Sequence, residues 1–166
     1  MQVPIRKSES RRVFEKPDHN MTEFKFLELK NKLERLKIRR PKLAAEVKRL
    51  AEMGDFSENA GYQLAKGQLR GLNNRLLEIE NQLKFATIIK PAKNPTQVGL
   101  GNFVTLEVNG REKKFQILGS SETNPTQGVI SHNSPLGSAL IGRQISEVFK
   151  IKLPDREIEY KIIKIE

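Results

Sequence analysis

From Met21 onward the apolar positions of the chain fall on a heptad. Phe26, Leu29, Leu33, Leu36, Arg40, Leu43, Val47 and Leu50 are separated by alternating steps of three and four, with one basic residue in the series. Tyr62, Ala65, Leu69, Leu72, Leu76, Ile79, Leu83 and Ala86 repeat that spacing without a basic interruption. Such steps line apolar side chains along one narrow stripe of a helix, the seam of a coiled coil rather than the broad face of a helix lying on a globular core. The two series are also equidistant from Phe56: Leu50 mirrors Tyr62, Val47 mirrors Ala65, and so outward to Phe26 and Ala86. That symmetry predicts an antiparallel helical hairpin turning at Phe56, with arms of about 30 residues and a rod about 45 Å long. Pro41, beside the basic interruption, predicts a kink or a restart in the first helix.

After Ile88-Ile89-Lys90-Pro91 the period changes to two. Phe103–Val108, Lys114–Leu118, Val129–Ile130, Glu147–Leu153 and Ile158–Ile165 read as short strands, with turn signals at Asn109-Gly110 and Pro154-Asp155. Ser134 to Gly142 reads as a short helix started by Pro135 and ended by glycine. The fold class is therefore α+β: an N-terminal antiparallel coiled-coil hairpin over residues 21–94 and a small C-terminal α+β globule over residues 95–166. Residues 1–20 keep no period and contain Pro4, Pro17 and mixed charge, which reads as a disordered or loosely attached arm. Within it Arg11-Arg12 is either a phosphate contact or a solvated pair.

Charge sharpens this division. The 166 residues carry 30 Lys+Arg against 20 Asp+Glu, a net +10. Of this, +7 falls in residues 21–94, from 16 basic and 9 acidic side chains, with +2 in residues 1–20 and +1 in 95–166. A hydrophobic content of 37% is low for one compact core and fits an elongated part. The basic excess points to a polyanion, most often nucleic acid, as the partner of the rod. The nearly neutral globule points to a protein partner. No apolar run approaches the roughly 18 residues of a membrane span, and the first twenty residues lack a secretory apolar stretch. The absence of cysteine removes disulfides, thiol nucleophiles and thiolate zinc sites, and leads to the expectation of a reducing, cytoplasmic setting. Two histidines leave little for imidazole catalysis, and His132 reads as structural. Gly99-Leu100-Gly101 is no dinucleotide fingerprint, since the third glycine and the following helix are missing.

The hairpin turn carries the candidate chemistry. Residues 51–61, Ala-Glu-Met-Gly-Asp-Phe-Ser-Glu-Asn-Ala-Gly, hold three carboxylates and no Lys or Arg, at the far end of a basic rod. Gly54 suits a left-handed helix end, and Ser57 or Asp55 suits a cap for the next helix. Asp55-x-x-Glu58 also has the spacing of a capping box, so a purely structural role stands beside a functional one. The functional reading is a hard cation such as Mg²⁺, which takes one or two protein carboxylates together with waters and phosphate oxygens. Two carboxylates alone make no tight site, so the metal would be shared with another molecule. Behind the tip, Lys48, Arg49, Lys66 and Arg70 lie off the seam, either as a solvated flank or as a phosphate track leading a strand toward the acidic end.

These residues match a known family. Met21 to Glu166 resembles the GreA/GreB bacterial transcript cleavage factors along its whole length. Two stretches are specific: Gly54-Asp55-Phe56-Ser57-Glu58-Asn59-Ala60-Gly61-Tyr62 at the tip, and Ile130-Ser131-His132-Asn133-Ser134-Pro135-Leu136-Gly137-Ser138-Ala139-Leu140-Ile141-Gly142 in the globule. The resemblance implies that the globule is FKBP-like and docks at the rim of the secondary channel of bacterial RNA polymerase, with Ser134, Pro135 and Leu136 as docking residues. The rod then passes down the channel to the active centre, where the 3′ end of backtracked nascent RNA is extruded. The family's two tip acids fall on Asp55 and Glu58, which are expected to secure a second Mg²⁺ shared with the polymerase and to orient the attacking water. Lys66 falls on a basic position of the family's RNA-facing patch; Lys48, Arg49 and Arg70 are added to it from helix geometry. The chain is thus expected to be a monomer and no enzyme by itself, stimulating the two-metal RNA cleavage of the polymerase.

The match has departures. Gly61 stands where the family often has a third acid, and residues 1–20 have no counterpart in the usual pattern. The extent of the basic patch leans to the GreA-like form. Two other readings keep parts of this picture: a channel-occupying regulator of the same fold without cleavage, and a proline isomerase or coiled-coil adaptor. The globule offers few aromatic residues for a prolyl pocket, namely Phe103, Phe115, Phe149 and Tyr160.

Overall fold

A computed structural model describes residues 18–53, 60–152 and 157–166. The chain enters through a two-residue strand, β1 (Asn20–Met21), and then runs into α1 (Glu23–Glu52). After the turn come α2 (Ala60–Phe85) and a second two-residue strand, β2 (Thr87–Ile88), which pairs in parallel with β1. The midpoint between the end of α1 and the start of α2 is position 56, where the symmetry of the seam places the turn. Thr22 caps α1, its hydroxyl accepting from the Lys25 amide at 3.1 Å.

The seam is the interface between the helices. Leu29, Leu33, Leu72, Leu76 and Ile79 are buried in one cluster with Met21, and Phe26, Leu36, Leu43, Leu83, Ala86 and Ile88 pack against it. Off-seam apolar residues such as Leu27, Ile38, Leu64 and Leu77 are exposed. Arg40, the basic interruption, is exposed and donates from Nε to Asn73 Oδ1 across the hairpin at 2.8 Å. Lys37 Nζ lies 3.7 Å from Glu80, a second cross-helix polar contact. The restart expected at Pro41 does not occur, because α1 is continuous through it. Proline lacks the amide that would meet the Lys37 carbonyl, but Lys37 and Pro41 are both exposed and water can take the vacant acceptor.

The globule is a five-stranded sheet in the order β5-β4-β3-β7-β6. Its strands are β3 (Phe103–Val108), β4 (Arg111–Leu118), β5 (Val129–Ser131), β6 (Val148–Lys152) and β7 (Glu157–Ile165). The short helix α3 (Pro135–Leu140) follows β5. All neighbours are antiparallel except β4 and β5. β4 begins three residues before the expected Lys114, because Asn109 (φ 51°) and Gly110 (φ 71°) close a two-residue turn that pairs Val108 directly with Arg111. Alternation sends Val104, Leu106 and Ile117 to one face, and a register shift between β3 and β7, where Thr105 pairs with Lys164 but Leu106 with Ile162, brings both Ile162 and Ile165 to that face as well. With Val98, Leu140 and Phe149 they form the core.

The last three residues of the expected arm are not loose. Asp18 to Asn20 are part of the fold: Asp18 accepts from the Ser120 amide at 2.6 Å, and the His19 carbonyl accepts from Thr87 at 2.8 Å. Strands of two residues are too short for any period to reveal them. The remainder of the arm, residues 1–17, lies outside the described residues, as does the expected Pro154-Asp155 turn.

Candidate functional site

The acids of the tip belong to the connection between α1 and α2. Asp55 and Glu58, with the expected caps Gly54 and Ser57, lie outside the described residues. What borders them is defined. Met53 closes α1, and α2 starts at Ala60 with Gly61 exposed in its first turn. The amino-terminal end of α2 therefore borders the tip, and the dipole of a helix start favours negative charge there. Among the described residues no group of three or more His, Asp or Glu side chains is placed to hold a metal ion.

Behind the tip, the four expected basic residues separate into two pairs. On α1, Arg49 is committed to Glu46, with Nε and Nη2 at 3.0 and 2.7 Å from its carboxylate oxygens, and Nη1 lies 3.6 Å from Met53 Sδ. Hydrogen bonding from Arg49 holds the Glu46 carboxyl below its ordinary value and raises the guanidinium above its own. Lys48 is highly exposed and lies 3.8 Å from Glu52 one turn on. On α2, Lys66 and Arg70 have no acidic partner among the described residues, and with Gln63 and Gly67 they line an open hollow of about 250 Å³. Lys66 Nζ sits 5.7 Å from the centre of the Tyr62 ring, a cation–π contact. Helical side chains lean toward the amino terminus, and Lys66 accordingly reaches back over Tyr62 toward the start of α2. It lies about 9 Å along the axis from Ala60, and Arg70 about 15 Å. Of the four residues, then, the structure brings Lys66 and Arg70 together and leaves Lys48 and Arg49 engaged on their own helix.

Two residues of this surface were absent from the sequence reading. Gly67 and Gly71 lie one turn apart inside α2, and a Cβ at either would meet nothing within 4 Å. Packing does not require them, yet each costs a helix about 1 kcal/mol relative to alanine. Their effect is to keep the helix surface beside Lys66 and Arg70 low. Unexplained glycine inside a helical pattern was the available signal.

The three expected docking residues have different fates. Ser134 is the cap of α3, its Oγ accepting from the Gly137 amide at 3.0 Å and donating to the Ser131 carbonyl at 2.7 Å. Leu136 packs against the core of the globule. Pro135 is exposed, the most open of the three. His132 is structural, with Nδ1 3.4 Å from the Leu118 carbonyl and 3.5 Å from Asp18.

Two family models divide the chain between them. Residues 19–88 match "Transcription elongation factor, N-terminal", and residues 92–166 match "Transcription elongation factor, GreA/GreB, C-term". The transcription elongation factor GreA of a Nitratiruptor species is 37% identical over 148 residues, covering 87% of this chain and 91% of its own. GreA of Bacillus cereus is 37% identical over 141 residues, covering 82% and 89%. Among solved structures, the GreA factor homolog 1 (Gfh1) protein of Thermus thermophilus is 27% identical and covers 85% of this chain and 94% of its own. Its TM-score is 0.39, too low for the placement of rod and globule to be compared between the two.

Proposed function

The chain belongs to the GreA/GreB family of transcription elongation factors, and from that premise we propose that it rescues backtracked RNA polymerase by stimulating hydrolysis of the extruded nascent RNA. The observation that carries the proposal is the order of groups along the rod. In sequence Asp55 and Glu58 fall between α1 and α2, Lys66 and Arg70, without an acidic partner among the described residues, line a hollow near the start of α2, and the bulk of the protein stands at the opposite end. A rod of this length brings a few side chains to a buried reaction centre while the globule remains outside.

In this reading the globule docks on the polymerase and α1 and α2 enter its secondary channel. Lys66 and Arg70 hold RNA phosphates, contacts that position the strand without reading its sequence. Asp55 and Glu58 meet the scissile end. Carboxylates are the hard oxygen donors that Mg²⁺ takes, and two of them suit a cation completed by ligands from the polymerase and the RNA. When bound there, Mg²⁺ supplies neutralisation of the charge that develops on attacking and leaving oxygens. Asp55 and Glu58 also accept from the attacking water and orient it. The chain alone is half of this site, so the activity belongs to the complex.

The test is a backtracked elongation complex of bacterial RNA polymerase in Mg²⁺, with and without the protein. Shortened RNA carrying a new, extendable 3′ end is the expected result, with little shortening by Asp55→Asn or Glu58→Gln. Slowed elongation without shortening would replace the proposal by a non-cleaving occupant of the channel.

A further inference from the structure

At the root of the rod, two carboxylates are exchanged between rod and globule. Asp18, on the segment that leads into α1, accepts from the Ser120 amide at the start of the 3-10 turn Ser120–Glu122. Glu122, the last residue of that turn, reaches back the other way. One of its oxygens accepts from the Thr22 amide at 2.7 Å and the other from the Thr22 hydroxyl. Thr22 is the cap of α1, so the globule grips the rod at the residue that starts its first helix.

The approach is too close for a side chain between them. A Cβ on Gly119 would come within 1.8 Å of the Asn20 carbonyl oxygen. Gly119 has φ −70° and ψ 161°, an extended conformation open to any residue, so it is the contact rather than the backbone angle that requires glycine. The returning strand is fastened to the same segment, with Thr87 donating to the His19 carbonyl and Ile89 to the Met21 carbonyl at 2.8 and 2.9 Å. Both arms of the hairpin thus end on residues 19–21, and that segment is held by the turn at 119–122.

We propose that Glu122, with Gly119, is a positioning residue that sets the direction in which the rod leaves the globule, and through it the point that Asp55 and Glu58 reach. This rests on the cleavage reading above. The argument is one of leverage. α1 has 30 residues, about 45 Å of helix, so a tilt of about 5° at its root moves the far end by about 4 Å. A misplacement of about 1 Å in reacting groups can cost on the order of a hundredfold in rate. A docked globule with a loosened root would still occupy the polymerase but would scatter its tip acids over positions that do not react.

The experiment uses the full chain, which has no cysteine of its own. Spin labels at two introduced cysteines, replacing the exposed Lys42 on α1 and the exposed Lys113 on β4, report the distance between rod and globule. Glu122→Ala and Gly119→Ala should broaden that distribution. In the cleavage assay Glu122→Ala should lower the maximal rate at saturating factor about tenfold or more, with the half-saturating concentration within about twofold of wild type because the docking face is untouched. Glu122→Gln, which keeps an acceptor oxygen for Thr22, should recover much of both readouts. A merely structural role would lower the melting temperature and leave both readouts at wild-type values below it, which would overturn the proposal. So would a broadened distribution with a wild-type maximal rate. If the wild-type chain gives no cleavage, the positioning role falls with the cleavage reading, and the distance distributions still decide whether Glu122 holds the rod.

Discussion

The rod and the globule bury their apolar residues in different ways. In the globule Val104, Leu106, Ile117, Leu140 and Ile162 are fully buried, enclosed by five strands and a helix. In the rod even the best-covered seam leucines, Leu29, Leu33, Leu72 and Leu76, keep 6–8% of their surface, because a two-helix seam has solvent on both flanks. Toward the tip the cover thins further: Leu43, Val47 and Leu50 are half-buried, and among the described residues nearest the turn only Ala65 is buried. Charge divides the same way, with +7 over residues 21–94 and +1 over 95–166. The difference teaches where each kind of change should register. Changes in the globule should act on folding and docking, whereas changes at the far end of the rod should act on rate.

The largest effect should come from the globule's core. Leu106→Ala removes a fully buried side chain from the central strand β3, and such truncations cost about 2–5 kcal/mol, the upper half of that range where the site cannot collapse. Leu33→Ala in the rod should cost less, about 2–3 kcal/mol, since water and neighbouring side chains can close on an edge-exposed seam. Denaturant unfolding of both variants checks the ranking. Equal costs would mean that the rod has a core as closed as the globule's.

Next come the tip acids. Asp55→Asn should lower the maximal cleavage rate about a hundredfold or more at any factor concentration. The choice of asparagine separates chemistry from capping, because Asn caps a helix about as well as Asp. A capping role alone would therefore leave cleavage near wild type. The melting temperature should be unchanged in either case.

Lys66→Ala should have a smaller and conditional effect. A phosphate contact positions the strand and is weakened by salt, so the defect should be a partial loss that grows with ionic strength and shrinks at saturating factor. A loss that resists saturation and ignores salt, like that of Asp55→Asn, would place Lys66 in the reacting centre and erase the division along the rod. Gly67→Ala offers a finer measure: it should stabilise α2 by up to about 1 kcal/mol while narrowing the approach beside Lys66.

How much of this was legible follows from the number of choices each part leaves open. An antiparallel seam has one unknown, its register, and the mirror spacing about Phe56 fixes it; all the seam positions except Arg40 are buried or half-buried. The strands of the globule announced themselves by alternation, but their order did not. β3 pairs with β7, far along the chain, and β4 runs parallel to β5, partners chosen by side-chain packing that no local pattern encodes. The hollow at Lys66 and Arg70 was foreshadowed by charge set against its surroundings, while Asp55 and Glu58 lie outside the described residues. Ser134 and Leu136 carry capping and core duties that the motif by itself did not separate from docking. The joint at Thr22 and Glu122 was not legible, since its two halves are 100 residues apart and neither has a periodic signature.

The smallest effect concerns the one polar position of the seam. Arg40 occupies a place that its neighbours fill with leucine, lies opposite Leu72 in the mirror spacing, and contributes an exposed hydrogen bond to Asn73 at 2.8 Å. An exposed bond of this kind adds at most about 1 kcal/mol. Leucine would instead continue the stripe and bury apolar surface against Leu72, a gain of about 1–2 kcal/mol for a half-buried side chain. The exchange should therefore leave Arg40→Leu more stable, by about 0–2 kcal/mol, with cleavage unchanged because position 40 is some 20 Å from the tip. A polar residue at a seam position also guards register and oligomer state at a cost in stability, so sedimentation should accompany the unfolding curve. Stabilisation of a monomer would show that the seam alone sets the stability of the rod. Stabilisation accompanied by dimerisation would show that Arg40 keeps the seam from pairing with a second copy. A variant less stable than wild type would mean that the Arg40–Asn73 contact, and not the apolar stripe, holds the middle of the rod, and the contrast between a thin rod and a closed globule would have to be redrawn there.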